Sequence, residues 1–323
     1  MRLNSTLLGW GVFFLLLGGI PLAVRQGVIP AESVERAWTL WPLLLVAAGI
    51  GLLLRRTQFE ILGGLLAAAT FGVIAGGALA TGGIPFASCG DERGSVDFPA
   101  QQGTFAGSGT VEVNLNCGDL TVATAPGSGW IIEGSSEDGH APRVQSSPDR
   151  VKVDSAERGF DFLGARERWA VTIGTEPAVG ISGTINAADA RLRLNGARLG
   201  AIDLQVNASA IRIDLAGIAA ITGFELHLNA GEARIALPTV ALSGSIDANA
   251  AAVKLCPPAG VGLRIETNDN ITASNNFDER GLVERSKNVW ETVDLASAAV
   301  RIELDASVNA GSIEIESEGS CND

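Results

Sequence analysis

The sequence predicts a mainly β protein: three N-terminal transmembrane helices followed by a β-solenoid, a single-sheet stack of β-helix-like coils. Three observations carry this. A phrase of asparagine and small residues returns four times, as Asn186-Ala-Ala-Asp, Asn207-Ala-Ser-Ala, Asn229-Ala-Gly-Glu and Asn249-Ala-Ala-Ala. Apolar and polar residues alternate on both sides of each phrase. Residues 1–87, by contrast, are almost wholly apolar.

The membrane region comes first in the chain. Residues 7–24, 38–54 and 61–86 form three apolar runs, each about the length a helix needs to cross roughly 30 Å of hydrocarbon. Trp10, Trp38 and Trp41 stand near their ends, where indoles favour the interface. Two further spans after the first, and no small-residue cleavage site, argue against a removed signal peptide. Arg2, Arg55 and Arg56 fall on one side and Arg25 and Arg36 on the other. The excess puts the amino terminus in the cytoplasm and, with three spans, the β part outside the plasma membrane. Membrane lipid is thus the first partner expected.

Residues 88–110 are polar and glycine-rich and read as a linker. Phe86-Ala-Ser-Cys89 at its start resembles a bacterial lipoprotein box, with Phe in place of the usual aliphatic residue. The sequence leaves open whether Cys89 carries a lipid.

The β-solenoid is placed at 111–318, with a tail at 319–323. Its four asparagines are 21, 22 and 20 residues apart. Apolar residues stand one and three positions before them, as in Leu204 and Val206. They return after the turn, as in Ile211, Ile213 and Leu215, with Arg212 and Asp214 between them. Period two describes short strands with one buried face. A repeat this short buries that face only when the next coil stacks on it. Looser copies at Asn116-Cys-Gly-Asp and Asn309-Ala-Gly-Ser extend the coils toward both ends. Asn186, Asn207, Asn229 and Asn249 are read as structural turn residues, since asparagine tolerates left-handed backbone and bonds neighbouring amides, coil to coil. A row of ligand-binding amides is the alternative use.

Irregular stretches interrupt the coils. Phe160, Phe162 and Trp169 form an aromatic cluster expected to cap the stack, and with Trp130 they make the candidate binding surface. Pro257 and Pro258 mark a corner, because proline cannot sit in mid-sheet. Residues 268–289 are a polar excursion, 290–295 rejoin the stack, and 300–316 form the last hairpin.

Charge bounds the function. Residues 1–87 carry five arginines and three glutamates, a net +2, which leaves −15 of the total −13 to the rest of the chain. Such acidity, with no basic stripe visible in the sequence, argues against nucleic acid as a partner. Cys89, Cys117, Cys256 and Cys321 suit two disulfides in an oxidising compartment, their connectivity undecided. His140 and His227 are the two histidines, and neither has the spacing of a metal-ligand set or a nucleophile–base pair. No catalytic or cofactor motif is present. The sequence therefore reads as a non-enzyme without cofactor or metal.

Two resemblances add to this. Residues 11–56, with Leu40-Trp-Pro-Leu-Leu-Leu-Val-Ala-Ala-Gly running on to Arg55, resemble the LiaI/LiaF-like transmembrane region of bacterial envelope-stress proteins. Residues 169–316 resemble the toastrack-type β domain of LiaF-like and adhesin-head proteins. The matching features are the small-residue coils, Asn275-Asn-Phe-Asp-Glu-Arg-Gly-Leu282, and Val308-Asn-Ala-Gly-Ser-Ile-Glu-Ile315. The resemblance implies a bacterial membrane-anchored scaffold or regulator of the envelope-stress response, contacting membrane or signalling proteins or further copies of itself. LiaF-like proteins commonly have four spans, and here three are counted. A surface adhesin or glycan-binding module is the alternative, with the aromatic surface as its platform.

Overall fold

The computed structural model describes residues 5–25, 46, 49–50, 63, 65–73, 95–137, 139–155, 166–268 and 273–321. The chain divides into two units, Met1–Ser88 and Cys89–Asp323.

In the first unit, α1 (Ser5–Arg25) carries Trp10 stacked on Phe14, ring centroids 5.4 Å apart. The expectation of three transmembrane helices is corrected here. Among the described residues no helix is long and apolar enough to cross a membrane. The first apolar run does become α1, but Gly9, Gly11, Gly18, Gly19 and Pro21 interrupt it, and such residues weaken a helix interior. Of the second run only residues 46 and 49–50 are described, and of the third only 63 and 65–73, all of them helical.

The second unit is built of strands that alternate buried and exposed side chains. In order these are β1 (Val96–Thr104), β2 (Gly109–Leu115), β3 (Gly118–Ala125), β4 (Gly129–Ser136), β5 (Arg143–Ser147) and β6 (Arg150–Asp154). β7 (Glu167–Gly174), β8 (Ala178–Asn186), β9 (Ala188–Arg193), β10 (Arg198–Asn207), β11 (Ser209–Asp214) and β12 (Gly223–Ala236) follow. β13 (Leu242–Cys256), β14 (Gly262–Thr267), β15 (Ala273–Asn275), β16 (Leu282–Ser286), β17 (Val289–Thr292) and β18 (Arg301–Ile315) complete it.

Two parallel ladders run through these strands. The first contains β6, β2, β8, β10, the leading halves of β12, β13 and β18, and then β14. The second contains β7, β3, β9, β11, the trailing halves of the same three strands, and then β15. Antiparallel strands finish the ends: β5 on β6, β4 on β7 and β1 on β4 at one, β17 on β14 and β16 on β17 at the other. The single-sheet stack is corrected too. All these strands belong to one 18-stranded sheet that winds back on itself in a nearly closed, barrel-like course. The reason is that β12, β13 and β18 pass through the turn without a break, carrying the hydrogen bonding from one ladder into the other. Within 88–110, expected as a linker, Val96–Thr104 forms β1, with Phe98 buried beneath it and its backbone paired with β4; residues 88–94 lie outside the described residues.

The core lies between the ladders. Ile185, Val206, Leu228, Ala248 and Val308 stack rung on rung from the first. Leu192, Ile213, Ile235, Leu255 and Ile315 do so from the second. Fully burying each large aliphatic side chain contributes about 1.5–3 kcal/mol before entropy is counted. A disulfide between Cys256 and Cys321, 65 residues apart, ties the tail to the end of β13. The chain-entropy model gives a loop of that size about 4 kcal/mol of stabilisation.

The turn between ladders explains the repeated asparagine. The chain reverses through positive φ at Ala187 (43°) and Ala208 (50°), or one residue later at Gly231 (123°). A Cβ on Gly231 would lie 1.9 Å from the Ser209 carbonyl oxygen, so only glycine fits that close approach. The asparagine side chains meanwhile form a directional row. Asn186 Nδ2 donates to Asn116 Oδ1 at 3.3 Å and Asn207 to Asn186 at 2.7 Å. Asn229 donates to Asn207, Asn249 to Asn229 at 2.7 Å, and Asn309 to Asn249 at 2.7 Å. Asn229→Ala deletes one donor and one acceptor from the row. At about 0.5–1.5 kcal/mol for each of the two bonds, denaturant unfolding should show a loss of about 1–3 kcal/mol. Asn229→Asp should cost more, because a carboxylate then faces the Asn207 oxygen. Unchanged midpoints in both variants would mean that the row does not support the fold.

Candidate functional site

Alternation puts every second residue of each ladder on an outer face, and the two faces differ in charge. On the first ladder Asp203, Glu225, Asp247, Glu303 and Asp305 point outward from neighbouring strands. His227 stands among them, Nε2 3.0 Å from Glu225 Oε1 and Nδ1 3.2 Å from Asp247 Oδ2. Ligand atoms of Asp203, Glu225 and His227 lie within 4.8 Å of one another, the one such group among the described residues with the donors to hold a metal ion. Both ring nitrogens already face carboxylates and all these side chains meet solvent. The arrangement is a surface column of carboxylates around one imidazole.

The second ladder carries a short basic row along its middle, with Asp214 and Glu314 in register with Arg193 and Lys254 at its margins. Arg191 pairs in register with Arg212, Arg212 with Arg234, and Arg234 with Lys254. Adjacent strands are about 4.8 Å apart. Like charges at that spacing repel by about 1 kcal/mol even in bulk water. Glu232 relieves one end, accepting from Arg234 Nε at 2.5 Å and pairing with Lys254 Nζ at 3.3 Å. Arg191, Arg193 and Arg212 make no ion pair among the described residues. Arg212 Nε is shielded from water with no hydrogen-bond partner. Sequence reading missed this stripe because its members are 20 to 22 residues apart, and only the register brings them together.

The hydrogen bond from Arg234 holds the Glu232 carboxyl below the usual carboxylate range, against the desolvation of partial burial and with help from Lys254. A depressed folded value means the contribution is present above the unfolded pKa and lost as pH falls through the folded one. With Glu232 partly exposed, that contribution is about 0.2–1 kcal/mol. Glu232→Gln should therefore be less stable than the parent at neutral pH. The gap should close as pH falls from about 5 toward 3, in unfolding curves taken across that window. A gap that persists in acid would contradict the assignment.

A third feature sits where the chain leaves the regular winding. A cavity of about 460 Å³ is lined by Thr267, Asn268, Ser274, Asn275, Glu284 and Asn288, with Trp290 at one wall. Trp290 packs edge-on against buried Phe277, centroids 5.7 Å apart, which fixes its ring. Asn268 is held by donating to Ser307 Oγ (2.8 Å) and accepting from the Val308 amide (3.3 Å). The Asn288 backbone N–H donates to Glu284 Oε1 at 3.1 Å, and positive φ at Asn288 (64°) turns the chain into β17. Asn275 Oδ1 accepts from the Phe277 amide at 3.3 Å. Amides and a carboxylate around a fixed indole can bond vicinal hydroxyl groups and stack on the apolar face of a ring. The volume falls in the range of small-ligand sites, about 300–1,000 Å³. The polar excursion was visible in the sequence; its crowding of asparagines next to a tryptophan was the signal that would have marked the site.

The residues singled out from the sequence fall elsewhere. Trp169 is 1% exposed, with its indole nitrogen unpartnered, and Trp130 is 4% exposed, so both are core residues with little face to offer. Trp130 borders a smaller cavity of about 350 Å³ beside Gly103 and Pro148. Phe160, Phe162 and Cys89 lie outside the described residues. Cys117 is buried and disulfide-bonded, and Cys256 pairs with Cys321. Asn186, Asn207, Asn229 and Asn249 come together in the amide row described above.

No family model matches the chain, and no curated protein matches it by sequence. Among solved structures it is similar to a candidate cell adhesion protein from Clostridium sporogenes, at 13% identity over 68% of this chain and 99% of that one, with a TM-score of 0.42. A candidate adhesin from Bacteroides fragilis matches at 13% identity over 68% and 96%, TM-score 0.32. Another from Parabacteroides merdae matches at 10% identity over 68% and 100%, TM-score 0.22. At such identities and scores the likenesses carry no functional argument. Nothing in the comparisons supports a LiaI/LiaF-like membrane region.

Proposed function

We propose that the β unit is a surface adhesin of a bacterium, a non-catalytic module outside the reducing cytosol that takes a glycan end into the Trp290 cavity. The observation that carries this reading is the cavity itself: a fixed indole and a ring of amides, open to solvent. Oxidised Cys117, Cys256 and Cys321 support an oxidising compartment. Pairing of copies through end strands has less support, since β5 and β16 are short and carry Arg143, Glu284 and Arg285, which oppose edge-to-edge association. The envelope-stress role draws on the resemblance alone.

Two measurements test the proposal. The purified full chain, applied to an array of neutral oligosaccharides, should be retained on a subset. Trp290→Ala should weaken that capture at least tenfold, and Glu284→Gln, at the exposed rim, should weaken it without altering the thermal midpoint. Protease added to intact cells, or to spheroplasts where an outer barrier exists, should digest the β unit. Full protection, or no retention on any oligosaccharide, would contradict the reading.

A further inference from the structure

Besides the cavity, the stripe of Arg191, Arg193, Arg212, Arg234 and Lys254 on the second ladder calls for a partner. The unit that bears it is strongly acidic, with carboxylates in excess. Even so, three of these arginines have no carboxylate within ion-pair reach among the described residues, while Glu232 serves both Arg234 and Lys254. The strands hold Arg191, Arg212, Arg234 and Lys254 in register one rung apart, in a line that crosses the strands, while Arg193 lies two residues along β9 with Asp214 in register beside it. Aliphatic side chains on either side of each arginine are buried, as at Leu192 and Ile213, so the strands that carry the row cannot slip to turn the charges away. Carboxylates flank the row on its own face, Asp214 in register with Arg193 and Glu314 with Lys254, so the stretch most open to an anion is the one over Arg191 and Arg212.

From this we infer that the second-ladder face binds a linear polymer bearing regularly spaced anionic groups, laid across the strands along the arginine row. The carboxylates of an acidic polysaccharide and the phosphates of a polyol-phosphate polymer share the chemistry that guanidinium forks recognise. Only the expectation that the face meets such polymers outside the cytosol rests on the adhesin reading. The row itself is independent of the Trp290 cavity.

The test uses the full chain and three labelled probes: polygalacturonate, polyglycerol phosphate and a short DNA duplex, with neutral dextran as control. Fluorescence anisotropy should show binding to the carboxylate or the phosphate polymer, falling steeply toward about 1 M salt, where screening leaves a Debye length of about 3 Å. The triple variant Arg191→Gln, Arg193→Gln, Arg212→Gln should bind at least tenfold more weakly. Its thermal midpoint should stay the same or rise, since like charges have been removed; a purely structural row would instead lower it. Preference between the two polymers identifies carboxylate or phosphate as the natural group. Equal binding by parent and triple variant, no binding of either polymer, or binding of DNA alone would overturn the inference. If neutral oligosaccharide capture survives in the triple variant while polymer binding is lost, the two sites are separate. If the row binds and the cavity does not, the adhesin reading fails and this one stands.

Discussion

Parallel pairing in register is the constraint on which the rest of the second unit depends. Where residues one coil apart sit at the same height on adjacent strands, any residue type repeated at the coil length becomes a row. Aliphatic rows bury themselves and make the core. Amide rows bond along their length, because asparagine offers a donor and an acceptor at once. Rows of one charge can do neither, and they remain at the surface as unsettled energy. The same geometry thus stabilises two kinds of row and leaves the third available to a partner.

That logic also separates frame from site. The middle of the winding, from β10 to β13, is pinned by stacked side chains on one side and the asparagine row at the turn. At its end the chain departs through a polar excursion and returns at β17, and the Trp290 cavity opens in that departure. The Cys256–Cys321 bridge fastens the tail onto the last regular coils. A binding site placed on an irregular segment gains precision from such anchoring, since its walls, Trp290 and Asn268, are tied to β14 and β18.

How much of this was legible in the sequence follows from what each signal measures. The spacing of Asn186, Asn207, Asn229 and Asn249 and the alternation around them located the strands and the turn, because both are local. The purpose of Trp130 and Trp169 was not legible. An aromatic in an irregular stretch looks alike whether it covers a core or faces solvent, and here burial won. In the first unit the described residues of the three apolar runs are helical, but no helix among them is long and apolar enough to cross a membrane, and hydropathy alone does not measure the length of a helix. The arginine stripe could not be seen without register, since Arg191, Arg212 and Arg234 are neighbours only across strands. β1 was hidden by its polar surroundings, with Phe98 as its single buried anchor.

The register itself is the most exposed claim, and engineered cysteine pairs test it directly. Gln205 stands opposite His227 on β10 and β12, while Glu225 is displaced by two residues along the strand. A disulfide needs Cα atoms about 4.4–6.8 Å apart, which adjacent in-register residues meet and the displaced pair does not. After mild oxidation and proteolysis, mass spectrometry should find the crosslink in Gln205→Cys with His227→Cys and not in Gln205→Cys with Glu225→Cys. The reverse pattern, or equal crosslinking of both pairs, would contradict the in-register winding and every row derived from it.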